Sequence, residues 1–215
     1  MIFAHFVDTL NTYADAMRRS DHYELVRYKV YPPVHPDDIT EMEHDLSCAD
    51  DMSGFHVADT VSQFYQVANG LRFVWVYHGY QVDGYEPVGN TNISLLSDIY
   101  EPTDSLNDPL PYTLLYEQYR LFDWTGDKEQ VVMEFSRGKE EPELYYHCAE
   151  DNSYHRLALD ITTYMDLLLQ TRGLYPWQQF FVADDNFHVD EKRAQRFFVN
   201  LARLFPDVDA TRFHR

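Results

Sequence analysis

The sequence predicts an α+β fold: a mostly antiparallel sheet of five to six strands, flanked by N-terminal helices and followed by a C-terminal helical appendage. Three observations predict it. Apolar residues recur at three- and four-residue spacing near both ends of the chain and around residue 60, as on one face of a helix. Short stretches dense in aromatic and β-branched residues lie between Leu71 and Asp160, as strands would. The later stretches are joined by brief turn-like connections, Thr125-Gly-Asp127, Ser136-Arg-Gly-Lys-Glu-Glu-Pro142 and Glu150-Asp-Asn-Ser153, which suits an antiparallel meander.

Each element has its own signal. Ile2, Phe3, Phe6, Val7, Leu10, Tyr13, Ala14 and Met17 share one face of a helix over 2–19. Tyr31-Pro-Pro-Val-His-Pro36 separates it from the next helix, because consecutive prolines cannot continue a helix. Asp37 or Asp38 then caps a helix running from Ile39 to Leu46. Val57, Val61, Phe64, Tyr65 and Ala68 form the face of a second helix, and Asn69-Gly70 stands where a left-handed terminator is needed. Leu71 to Tyr77 is a buried strand. Residues 78–92, with Gly79, Gly84, Gly89 and Pro87, read as a turn-rich hairpin or loop. Glu101 to Pro111 is a loop carrying only negative charge. A helix over 161–172 is closed by Gly173. Another spans 190–205, capped by Asp190 and stopped before Pro206, with Phe197, Phe198, Leu201 and Phe205 inward. The 215 residues fit one domain, with a core over about 35–181, the helix 2–19, and an appendage over 182–215.

Composition narrows the function. With 45% hydrophobic and 16% aromatic residues the chain is globular rather than disordered. The formal net charge is −19, and residues 30–119 hold fifteen acids against a single base, Arg72. Such a field excludes nucleic acid and anionic membrane as direct ligands, since phosphates need clustered lysine and arginine. It favours a cationic protein partner. Cys48 and Cys148 lie outside metal-type spacing, Met1–Leu10 lacks a basic leader region, and no apolar run reaches transmembrane length. These features point to the cytoplasm.

No Walker loop, dinucleotide fingerprint, nucleophile elbow or His-Glu-x-x-His run is present, so neither catalysis nor a cofactor or metal is expected. His147 and Cys148, on alternating strand positions, face opposite ways and cannot share an ion with His155. The expectation there is a satisfied strand histidine beside a buried thiol.

The order of these segments resembles the SUKH superfamily, which includes yeast cell-wall synthesis regulators and many bacterial immunity proteins. Its second helix ends in Asn-Gly after spaced aromatics and runs into a strand. Phe64, Tyr65, Asn69, Gly70, Phe73 and Trp75 stand at those places, while His56-Val57 replaces the usual Leu-Pro. Ile93–Ile99 looks like the family's short strand after a long loop. Phe122–Phe135, Leu144–His147 and His155–Asp160 look like its sheet, and Ile161–Arg172 like its last shared helix. The resemblance implies a protein-binding domain without catalysis: an immunity protein that neutralises a basic toxin, a nuclease for example, or a housekeeping scaffold or adaptor with no toxin partner.

Tyrosines set among acids supply rigid anchors and charge selectivity. The candidate partner-binding residues are therefore Tyr80, Tyr85, Glu86, Tyr100, Glu101, Asp104, Asp108, Tyr112, Glu140, Glu141, Tyr146, Glu150 and Asp151. Phe64, Asn69, Gly70 and Trp75 are candidates for a structural role.

Overall fold

The computed structural model describes residues 3–48, 54–100, 119–126, 128–134 and 141–213. Seven strands pair antiparallel in chain order: β1 Tyr23–Val30, β2 Leu71–Tyr77, β3 Val88–Ile93, β4 Tyr119–Trp124, β5 Glu129–Glu134, β6 Leu144–Cys148 and β7 Ser153–Arg156. Six α-helices accompany them among the described residues: α1 Phe6–Arg18, α2 Pro36–Ser47, α3 Asp59–Tyr65, α4 Leu96–Tyr100, α5 Ile161–Thr171 and α6 Glu191–Leu204. Short 3-10 turns cover Trp177–Phe181 and Ala210–Phe213.

The meander is as the turn chemistry predicts, with one strand more than expected. The added strand is β1, at the sheet edge. Its inward residues Tyr23, Leu25, Tyr28 and Val30 alternate with charged ones, but the register slips between Leu25 and Arg27. That bulge breaks the two-residue period, and a bulge also protects an exposed edge. The resemblance implies a short strand at Ile93–Ile99. The strand lies instead at Val88–Ile93, and Leu96–Tyr100 turns into helix α4.

Phe73 and Trp75 of β2, Val131 and Met133 of β5, and Leu144 and Tyr146 of β6 point to one face. Helix α5 lies on that face, capped by Asp160 on the Thr163 N–H at 2.7 Å and ended by Arg172 and Gly173 in left-handed conformations. It docks through its end: the Trp75 indole N–H donates to the Arg172 carbonyl at 2.8 Å. The indole in turn requires Gly89, where a Cβ would stand 2.1 Å from Trp75 Nε1. Helix α6 begins at Asp190, whose carboxylate takes the Arg193 N–H at 2.9 Å. Its Phe205 cap residue packs edge-on against Trp75, with 6.0 Å between ring centroids, so the C-terminal segment shares the core of the sheet.

Two end signals differ from expectation. Neither Asp37 nor Asp38 caps α2. His35 does, its Nδ1 accepting the Asp37 N–H at 3.2 Å, because Pro36 takes the first helical position and leaves the cap to the residue before it. Helix α3 stops at Tyr65, so Asn69-Gly70 is not its immediate terminator. Gly70 does adopt the left-handed conformation, φ +85°, but it serves the turn into β2.

Glu129 ties the C-terminal helix to the sheet. It accepts from Arg193 Nη1 at 2.6 Å and from the Tyr175 hydroxyl, and its side chain is 12% exposed. Glu129→Ala leaves a half-buried guanidinium and a phenol without their acceptor. A loss of about 2 kcal/mol is expected in denaturant unfolding, with Glu129→Gln losing less.

Candidate functional site

The loop residues singled out from sequence do not form one surface. Tyr146 is 2% exposed and Tyr100 is 7% exposed, so neither is an accessible anchor. Tyr146 sits opposite Val131 on the core face of the sheet. Its hydroxyl accepts from Gln179 Nε2 at 2.7 Å, and burial holds that phenol far above its ordinary range. Tyr100 closes α4 against Phe55, with 5.4 Å between ring centroids. Glu101, Asp104, Asp108, Tyr112 and Glu140 lie outside the described residues.

The other candidates keep some exposure but are separately engaged, and the Tyr80 hydroxyl is itself buried. Tyr80 and Tyr85 lie along α6, under the guanidinium groups of Arg203 at 4.8 Å and Arg196 at 4.6 Å. Glu86 is held by His78, whose ring nitrogens meet Glu86 at 2.9 Å and Glu24 at 3.1 Å. Hydrogen bonds to those two carboxylates raise the imidazole pKa above its usual value. Glu150 pairs with Lys128, Glu141 accepts from Thr60, and Asp151 closes its own turn on Ser153. Of this group Tyr85, at 63% exposure, is the large side chain most open to a partner.

A more coherent acidic surface stands on α2. Ile39 and Met42 anchor that helix in the core, which turns Asp37, Asp38, Glu41 and Asp45 outward. Asp37, Glu41 and Asp45 follow at four-residue steps, so they stack in one column. Apart from His35 beside Asp37 at 3.4 Å, no cation among the described residues pairs with these four. Like charges at this spacing weaken an isolated helix, although Asp37 and Asp38 gain from the helix dipole at its start. The four-residue acid spacing was readable in the sequence; the outward face it marks required knowing which side Ile39 and Met42 bury.

The opposite charge collects on the outer face of the sheet. Lys29 of β1 stands directly across from Arg72 of β2, and Arg27 lies two residues along β1 on the same side. Beyond them the face carries Asn90 and Asn92 of β3, then Leu121 and Trp124 of β4. Arg27, Arg72 and these residues of β3 and β4, but not Lys29, line an open groove of about 530 Å³, to which α4 adds the carboxylate of Asp98. Its shape has a cause in the β3–β4 seam, where a single residue pair, Ile93 with Asp123, is in register. Side chains take over from the ladder: Asn90 Nδ2 donates to the Thr125 carbonyl at 3.0 Å, and Asn92 Nδ2 to the Trp124 carbonyl at 3.2 Å.

Asp123 is the buried end of that seam. Its carboxylate accepts from the Asn92 N–H and from the Tyr164 hydroxyl, each at 2.7 Å. Burial pushes its pKa up to about 6, against the opposing pull of the two hydrogen bonds. Nothing in the sequence marked this residue, because a register bulge between Leu121 and Asp123 turns both Phe122 and Asp123 inward.

Among the described residues no three His, Cys, Asp or Glu side chains converge as a metal site would require. His147 is only half satisfied: Nε2 meets Asn152 Oδ1 at 3.2 Å, while Nδ1 is buried with no partner among the described residues, and burial lowers its pKa. Cys148 beside it is half-buried rather than buried. No helix among the described residues is long and apolar enough to cross a membrane. No family model, curated protein or solved structure matches the chain.

Proposed function

We propose that this chain is a non-catalytic protein-binding domain that neutralises a basic toxin domain, in the manner of the immunity proteins its element order resembles. The observation that carries the reading is the acidic column on α2. Four outward carboxylates with one neighbouring histidine form a surface matched to a cationic face, set in a chain of net charge −19. Such a surface raises association rates and disfavours partners of the wrong sign. A nuclease toxin would present such a cationic face, since it must hold phosphates. Tyr85, exposed on the β2–β3 connection, is a separate candidate contact.

Co-expression with the genes that flank this one tests the reading. Growth of cells carrying a toxic neighbour should be restored by this protein, and the rescuing pair should co-purify. If no flanking gene is toxic or no pair forms, the toxin assignment is wrong. Within a rescuing pair, Asp37→Asn, Asp38→Asn, Glu41→Gln and Asp45→Asn combined should slow association about tenfold at low salt. Dissociation should change little, since rim charges act on the encounter.

A further inference from the structure

The outer face of the sheet is a second binding surface, opposite in sign to α2. We infer that it docks an acidic, extended segment of another protein, with carboxylates over β1 and β2 and an apolar or aromatic side chain against Trp124.

Charge sets the first half of this inference. Arg27 and Arg72 are exposed, and neither forms an ion pair or hydrogen bond with any described residue. Among the described residues Lys29 meets only the ring of Tyr31, at 4.0 Å. Like charges directly opposite on neighbouring strands destabilise a sheet, so the Lys29–Arg72 pair is a local cost. The cost stands in a chain with 36 acids and 17 bases, where a neutralising carboxylate is the commonest neighbour available. An anion brought by a partner would relieve it.

Shape and apolar content set the second half. The row Lys29, Arg72, Asn92 crosses three strands by direct pairing and reaches β4 through the Asn92–Trp124 bond. Three strand spacings amount to about 14 Å, the reach of about four extended residues. Val26, 53% exposed, and Val74 lie beside the cations, and Leu121 with Trp124 closes the far end. An open groove of this kind leaves a small ion hydrated, so apolar contact has to supply part of the affinity. A nucleic acid would bring many phosphates against a surface of net charge −19. An acidic polypeptide with apolar residues brings few charges and meets Val26, Val74 and Trp124.

The tryptophans provide the readout. Trp75 and Trp177 are fully buried, whereas Trp124 is half-buried on the groove, so acrylamide quenching of the intrinsic fluorescence reports mainly on Trp124. Trp124→Phe checks that assignment by removing the quenchable fraction. The probe is a synthetic peptide of about ten residues with glutamate at alternate positions of its first half, leucine at the same alternate positions of its second half and serine between, which sets carboxylates and leucines along one side when extended. Saturable protection of Trp124 is expected, with half-saturation raised at least about tenfold in R27E/R72E while the unfolding midpoint is kept. R27Q/R72Q, with a smaller loss, serves if the reversal does not fold. The inference is overturned if the peptide gives no protection, or if either double variant binds it like the wild type. Equal protection by tripolyphosphate at the same concentration overturns it in favour of a phosphate site. Concentration-dependent dimers that R27E/R72E abolishes overturn it in favour of a second copy of this chain.

Discussion

Gly70→Val is expected to cost more than about 3 kcal/mol, measured as a drop in the denaturant midpoint at unchanged slope. Two effects combine. The φ of +85° is strained for any β-branched residue, at about 1–3 kcal/mol. A Cβ there would also stand 2.7 Å from the Ile93 carbonyl oxygen and 2.8 Å from that of Ser94. Both obstacles are backbone, so neither can swing aside, and relief requires moving β3 from β2. Gly70→Ala should show most of the loss, since it keeps both the φ and the contact. The neighbouring residue acts differently: Asn69 Oδ1 accepts the Leu96 N–H at 2.9 Å, satisfying a donor at the start of α4. Asn69→Ala should therefore cost about 1–2 kcal/mol, as the loss of a helix cap does.

Asp123→Ala should be comparably severe, at about 3 kcal/mol or more near neutral pH. It strands the Asn92 N–H and the Tyr164 hydroxyl inside the core, and each unsatisfied donor costs about 1–3 kcal/mol. The pH dependence separates this from a simple cavity. The folded pKa of about 6 lies above the ordinary 3.8, so the native state binds the proton more tightly than the unfolded chain. The stabilising contribution of that proton is thus full below about pH 4 and is lost as pH rises through about 6. At about 1.4 kcal/mol per pH unit the span is about 3 kcal/mol. Asp123→Asn keeps an acceptor for Asn92 and a partner for the Tyr164 hydroxyl, and it should remove this slope while holding stability at neutral pH. A slope unchanged in the Asn variant would assign the titration to another group.

How much the sequence could disclose depends on where the determining signal lies. Helices α5 and α6 were readable to within about a residue, because Asp160, Gly173 and Asp190 act on backbone groups a few residues away. The face of α3 was legible in part: Val61, Phe64 and Tyr65 are fully buried as their spacing predicts, whereas Val57 and Ala68, also buried, lie beyond the ends of that helix. Strand β1 was hidden because the bulge at Val26 breaks its alternation, and that bulge is settled by pairing with β2, more than forty residues away. Helix α4 depends likewise on Asn69, whose side chain reaches it from another segment. For the site, composition disclosed the charge but not its placement. Tyr100 and Tyr146 stand among acids in the chain yet face the core, since a neighbour in sequence says nothing about which side of a strand or helix is covered. The groove was invisible for the same reason: Arg27, Arg72 and Trp124 come from three strands and meet only through register.

Association kinetics with a partner recovered in the co-expression test of the proposed function probe the electrostatic role of α2 most directly, measured from low to moderate ionic strength. The wild-type on-rate should fall steeply as salt rises, and the variant neutralised at Asp37, Asp38, Glu41 and Asp45 should show a slow and nearly flat profile. Superimposable profiles for the two proteins would contradict capture through α2 and leave that acidic column as solvated surface.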